Sequence, residues 1–506
     1  RRTSVERHRT LRATLQWSYE LLAPADQALF RRLSVFAGPF DLAAAEMVAA
    51  DPPTAERVPE RFGVDIDDVE RVDLAVVGDL LGALVDRSMV IVESGPFGRR
   101  FRLLETMRQF GAELLHDAGD TDRVAARHAR WCLDQVESIH LQLIGQEEPV
   151  GVGRLVELWP NLRAGFDWAC AVGDARLAYR LVRPVAAEVM LRAQGEIGAW
   201  LERILAMDDA GPTIEPGPAP VGPDHGGPLP DDGSDVDERV AFCLLWAAHG
   251  YAITQNHDAF DRLVAANGSP DHPWVRFGRA FLYEDVDELG EWGPVASAAA
   301  LAAGQPHAAE LLTLGGSGQS LISQHRFQEL DRFAGELAAR YRRTGPPTLL
   351  NFALIMGGYS AVLQGREADG EVLFTEAAAV DTPDRTLGVD QWVEAQSALR
   401  RGEPIRAKEL LAGHVEILLD SDNLYQARMA CVEFVNVMVT LDRHDLARPV
   451  LAYLYRPDLL DIELSRSLVS ADARVDELTD DDRAWALDVD ARGILLHMRE
   501  VLRADD

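Results

Sequence analysis

The sequence predicts a mainly α fold: an N-terminal winged helix with a small β-hairpin, followed by an α-solenoid of helical hairpins. Three observations carry that expectation. Apolar residues recur at helical spacing through most of the 506 residues, and two short strand-like runs flank the turn Ser94-Gly95-Pro96-Phe97-Gly98. Beyond the linker at 211–235 the chain breaks into short helices at a loose period. The length itself calls for several structural units.

At the N-terminus, Leu11, Leu15, Tyr19 and Leu22 define an amphipathic helix with a basic lead-in from Arg1 to Arg12, stopped by Pro24. A second helix is expected from Asp26 to Leu33. Ser34-Val35-Phe36-Ala37 then reads as a short strand closed by Gly38-Pro39, and Asp41 as the N-cap of a helix to about Ala49. Residues 51–73, with three prolines and many acids, read as a surface insertion. Leu74, Val77, Leu81 and Leu84 make one apolar stripe of a helix ending near Arg87. Met89 to Glu93 and Arg99 to Leu103 are the expected strands of the wing, and a further helix runs from about Glu105 to His116. The winged-helix domain is thus expected over 1–118.

A winged helix raises the question of DNA. The helix in the reading position, LAVVGDLLGALVDRS, offers only Asp79, Asp86, Arg87 and Ser88 as strongly polar groups, whereas base edges are read by arginine, lysine, asparagine or glutamine. The whole chain has 82 acidic and 50 basic residues, a net charge of −32. Residues 1–110 hold 15 arginines against 17 acids, close to neutrality, so the rest carries nearly all of the charge. The basic spots, Arg7 and Arg9 in the lead-in and Arg99, Arg100 and Arg102 on the wing, are candidate phosphate or DNA contacts; ordinary solvated charge is the competing reading. DNA is therefore disfavoured as a partner, and an anionic membrane is repelled.

Several chemistries lack their residues. Lys408 is the one lysine, and it follows Ile405-Arg406-Ala407, so no phosphate-binding loop exists in the chain, and Schiff-base catalysis is equally hard to build. Cys132, Cys170, Cys243 and Cys431 are far apart, which suits buried thiols in a reducing cytoplasm better than disulfides or zinc. His128 and Cys132 share a helix face, but a metal needs three or four ligands, and HExxH is absent. The acids at 65–68 and 231–235 miss the calcium-loop glycine. Gly315-Gly316-Ser317-Gly318-Gln319 misses the last glycine of a nucleophile elbow and reads as a helix contact or turn. The run Glu284, Asp285, Asp287, Glu288 reads as a solvated face. No run is apolar enough for a signal peptide or membrane span, and the chain, which starts at Arg1, reads as cut from something longer. The expectation is a non-enzymatic, cytoplasmic chain with no cofactor or metal of its own.

The blocks RHRTLRATLQWSYELL, LFRRLSVFAGPF, LVDRSMV and FRLLETMRQFGAELL, in that order, resemble the winged-helix segment that follows the nucleotide-binding core of actinobacterial STAND-type signalling ATPases, a group including LuxR-type, AfsR-like and cyclase-linked regulators. ELWPNLRAGFDWACAVGDARLAYRLVRPVAAEVMLRAQGEIGAWLERIL resembles the start of their helical arm, here expected as the first helical hairpins over 119–210. The resemblance implies a winged helix that packs on the nucleotide core, with ATP or ADP and Mg bound in that core, which precedes Arg1. The insertion at 51–73 is longer than the usual connection, and nothing after Leu464 resembles the C-terminal helix-turn-helix of LuxR-type members.

Residues 211–235, with seven prolines and six glycines, read as a flexible linker. From 236 to 506 the expected array is tetratricopeptide-like. Gly358, Gly365, Gly370, Phe374 and Ala377 fit the spacing small, turn, small, aromatic, small, and turn positions recur at His325, Gly365, Gly402 and Asp442, separated by 40, 37 and 40 residues. Gly370, Ala407 and Ala447 are the small residues at the helix crossings. Such arrays offer an extended surface to a protein or peptide. The function expected is a regulatory and protein-interaction arm of a STAND-type ATPase; the alternatives are a DNA-binding transcription regulator acting through the winged helix, and the C-terminal arm of a cyclase-linked ATPase.

Overall fold

A computed structural model describes residues 12–51, 71–192, 195–207, 236–254, 256–268, 270–283, 285–383, 389–421, 424, 426–456, 469–470 and 473–504. Arg7, Arg9, nearly all of the 51–73 insertion, the 211–235 linker, and the acidic runs at 65–68 and 231–235 lie outside these residues, as does Glu284. The described chain is mainly helical, with one two-stranded antiparallel sheet. It forms two compact units. The first runs to Leu141 and resumes over Gly151–Pro184; the second takes Gln142–Val150, Val185–Met207 and the described residues from Val236 on.

In the first unit, a helix over residues 12–20 (α1), Pro24–Leu33 (α2), Leu42–Ala49 (α3) and Val77–Asp86 (α4) precede the strands Ile91–Gly95 (β1) and Gly98–Arg102 (β2). Glu105–Asp117 (α5), Thr121–Leu143 (α6), Glu148–Ala171 (α7) and Ala175–Val182 (α8) follow. Pro24 ends α1 and then opens α2 at its first turn, where a missing N–H costs nothing. Asp41 caps α3 by accepting from the Ala44 N–H at 2.8 Å. Leu15, Tyr19 and Leu22 are buried as their spacing requires, and Tyr19 meets Phe110 of α5 edge-on.

Three expectations need correction. Ser34–Ala37 is not a strand: the N–H groups of Ser34, Val35 and Phe36 bond to carbonyls three residues back, so α2 unwinds through tight turns. That winding drops Phe36 into the core, stacked 4.3 Å from Phe40, and it is Phe40 that makes the strand contact, a two-way backbone bridge to Phe101 of β2. The wing hairpin is also tighter than expected. Gly95 pairs with Gly98, leaving only Pro96-Phe97 as the turn, with Gly98 at φ 98°. In α4, Val77, Leu81 and Leu84 are buried, while Leu74, wound into a preceding 3-10 turn, is 58% exposed.

The second unit holds Glu188–Leu191 (α9), Gly195–Leu205 (α10), Val236–Thr254 (α11), His257–Asn267 (α12), Pro273–Tyr283 (α13) and Val286–Ala302 (α14). Next come Pro306–Thr313 (α15), a π-turn over Leu314–Gly318, Gln319–Ser323 (α16), Phe327–Thr344 (α17), Pro347–Leu363 (α18) and Glu367–Ala379 (α19). Val389–Arg400 (α20), Pro404–Asp420 (α21), Ala427–Thr440 (α22), His444–Leu454 (α23), Asp480–Asp488 (α24) and Ala491–Arg503 (α25) complete it. Asp285, expected as mere surface charge, caps α14 through the Glu288 N–H at 3.0 Å.

The turn positions picked out by period share one backbone state. His325, Gly365, Gly402 and Asp442 have φ of 54°, 76°, 74° and 59°, the left-handed conformation that ends a helix. At each, the next N–H reaches five residues back, as in Arg366 to Ala361 and Arg443 to Met438, at 2.9 and 2.8 Å. Between α18 and α19 the small residues meet: a Cβ on Gly370 would lie 2.9 Å from the Gly358 carbonyl oxygen, and one on Gly358 would lie 2.5 Å from the Phe374 ring. Ala407, Ala447, Phe374 and Ala377 are buried. Among the described residues no helix is long and apolar enough to cross a membrane.

Candidate functional site: the wing, its neighbouring helix and the buried polar clusters

The three wing arginines do not act alike. Arg100 pairs with Glu157 of α7 and stands 3.9 Å from Asp41; Arg102 reaches across the hairpin to Glu93 at 2.8 Å. Arg99 is exposed and borders a groove of about 480 Å³ between α4 and the wing. The groove floor is Leu81, Val85 and Phe101, and its α4 wall carries Gly78, Gly82 and Asp86. A Cβ on Gly82 would meet nothing within 4 Å, so this helix face is open. Gly78, Asp79, Gly82 and Asp86 are all exposed, with Val76 40% exposed beside them. Arg87, the cation immediately after α4, sits 3.5 Å from the buried Asp26. The face that would enter a DNA groove therefore presents glycine, valine and two carboxylates, with no group that reads a base edge.

Behind the wing, Asn161 of α7 is fully buried and clamps the α2–α3 turn: its Oδ1 accepts from the Gly38 N–H at 3.0 Å and its amide donates to the Pro39 carbonyl at 2.8 Å. His128 Nε2 lies 3.4 Å from the same Oδ1, and the Cys132 thiol donates to the Asn161 carbonyl at 3.3 Å. Burial pushes His128 down to about 4 and the Cys132 thiol well up, so both are neutral packing groups. Among the described residues no group of three or more metal-ligating side chains occurs. Asn161 was not singled out from sequence, although it sits in the WPNLRAGFDWA stretch.

A second cluster fixes by charge the described residues that flank the insertion. Arg32 donates to the Ala49 carbonyl at 2.8 Å, to Asp51 at 3.0 Å and to Asp120 at 3.3 Å. Asp51 in turn accepts from the Val72 N–H at 2.9 Å, tying the chain on either side of the insertion together. Burial raises the Asp51 carboxyl, but the Val72 N–H and the guanidinium groups of Arg32 and Arg123 outweigh it and hold the carboxyl below its ordinary value.

The second unit carries two buried polar clusters that no spacing rule marks. Arg192 is paired with both Glu148 and Glu188, all three buried, and the other Glu148 oxygen accepts from the Thr348 N–H at 2.8 Å, capping the first turn of α18 from 200 positions away. Across α18, α20 and α22, the Tyr359 hydroxyl donates to Gln396 at 2.6 Å, and Gln396 neighbours Glu433. Glu433 is 1% exposed; burial pushes it up to about 8, against weaker opposing pulls from Gln396 and Arg400.

Over 205 residues, 40% of this chain, the sequence is 35% identical to "Putative HTH-type transcriptional regulator Rv0890c" of Mycobacterium tuberculosis and to its namesake Mb0914c of Mycobacterium bovis. Those residues cover 21% of each relative, so the chain spans about a fifth of the length of the regulators it matches. It is also 35% identical over 127 residues, 25% of the chain, to "Uncharacterized protein Rv0894" of Mycobacterium tuberculosis, 28% of which is covered. No family model matches the chain, and no solved structure matches it.

Proposed function

We propose that the chain is a non-catalytic regulatory arm of a larger STAND-type ATPase, in which the helical array recognises a protein or peptide and the winged helix engages protein. The observation that carries this reading is the exposed face of α4, where Gly78, Gly82 and Val76 stand beside Asp79 and Asp86. Such a face repels phosphate and suits a packed protein surface. The names of the relatives support a role in transcriptional regulation, and the four separated blocks that resemble STAND proteins support the parent class. Recognition by the array would shift a pre-existing equilibrium of the nucleotide-binding core, with ATP and Mg held there.

Arg99, exposed on the wing, and the relatives' helix-turn-helix names favour a second reading, direct DNA binding. Fluorescence anisotropy of a labelled mixed-sequence duplex separates the two. The arm reading expects no saturable binding by the full chain at low salt. Binding that falls steeply with salt and is lost in Arg99→Ala would replace it with the DNA reading.

A further inference from the structure

The Gly315–Gln319 motif, which is no nucleophile elbow, has another use. Leu314–Gly318 winds as a π-turn within the helical run from Pro306 to Ser323, and single π-turns are frequent at functional sites. It lies against α14 at a close crossing: a Cβ on Gly316 would stand 2.8 Å from the Gly293 Cα. One turn earlier in α14, Gly290 faces Ser320, whose hydroxyl would be 2.3 Å from a Cβ placed there. Pro294 interrupts α14 and has no N–H to give, so the Gly290 carbonyl lacks its normal helical donor.

These elements and α17 line an open groove of about 340 Å³, within the size range of small-ligand sites. Its lining balances Arg326 and Arg332 against Glu329 and Glu336, over the apolar Leu321 and Phe333. Arg326 closes on Glu329 at 2.7 Å, and on the same helix Arg340 and Arg342 close on Glu310 and Glu376 at 3.3 and 2.7 Å. Arg332 and Glu336 form no ion pair with any described residue, although they stand one helical turn apart on the groove wall.

We propose that this groove binds a small zwitterion of dipeptide size. Its ammonium meets Glu336, its carboxylate meets Arg332, and its apolar side chain lies on Phe333 and Leu321. The balanced lining selects against a net charge, and Ser317 and Ser320 offer hydroxyls to the peptide group. The inference deepens the reading of the array as a recognition surface and rests on it for its regulatory meaning only.

Calorimetric titration of the full chain with Ala-Phe, N-acetyl-Ala-Phe and Ala-Phe amide tests it. Ala-Phe should bind at one site, and blocking either end should weaken binding about tenfold or more. Arg332→Gln should abolish the sensitivity to amidation, and Glu336→Gln the sensitivity to acetylation; both residues are exposed, so the fold is spared. Equal binding of all three ligands, affinities unchanged in both variants, or no saturable binding up to about 10 mM would overturn the proposal. Because no DNA or nucleotide is present, DNA binding by the winged helix would sink the arm reading and leave this result standing.

Discussion

His128 and Glu433 are buried ionisable groups whose pH dependences run in opposite directions. His128 ionises near 4 in the folded chain and near 6.5 when unfolded, so its contribution to stability is present above pH 6.5 and is lost as the pH falls towards 4. His249 in the second unit is held down to about 4 by burial in the same way. Each should cost up to about 1.4 kcal/mol per pH unit in that window, and His128→Asn should flatten the dependence of the first unit in melts between pH 7 and 5. Glu433 has a folded value of about 8 against 4.5, so its contribution is full below pH 4.5 and is lost as the pH rises through 8. Glu433→Gln should therefore stabilise the chain at pH 8 by roughly 1 to 3 kcal/mol and give no gain at pH 4.5, again by thermal melting. Neither effect was legible in the sequence. A histidine four residues from a cysteine reads from sequence as a packed pair rather than a metal site, but the Asn161 contacts and the shifts that burial imposes are properties of the fold.

At the scale of the element, the array's period was legible because its turn residues answer to one backbone demand. The left-handed state costs a side chain, which glycine avoids, so His325 and Asp442 mark positions where the chain bears strain that Gly365 and Gly402 do not. His325→Gly and Asp442→Gly should each stabilise by about 0.5 to 1 kcal/mol, and Gly365→Ala should cost about 1 kcal/mol or more, in urea unfolding. Gly370→Ala should cost about 1 to 3 kcal/mol through its contact with the Gly358 carbonyl. What spacing could not supply were the contacts made at long range. Phe40 replaced Ser34–Ala37 as the strand partner because its bond is to Phe101, and Glu148 caps a helix 200 positions away. Removing the central cation by Arg192→Met leaves two buried carboxylates facing each other and should cost about 3 to 5 kcal/mol.

For the whole molecule, the charge distribution was readable at once, and it separated a near-neutral N-terminal region from a strongly acidic remainder. The candidate site was readable in part. Arg99, Arg100 and Arg102 were identified as cations, but their commitment is a property of the fold: two are spent on Glu157 and Glu93, and one is exposed. The glycine-and-acid face of α4 is what then distinguishes protein engagement from DNA reading. Reversing that charge tests the distinction most directly. Asp79→Arg/Asp86→Arg should give the full chain a salt-dependent affinity for a short mixed-sequence duplex that the natural chain lacks. If the natural chain already binds the duplex as tightly as this variant, with the same salt dependence, the winged helix is a DNA reader and the account is contradicted.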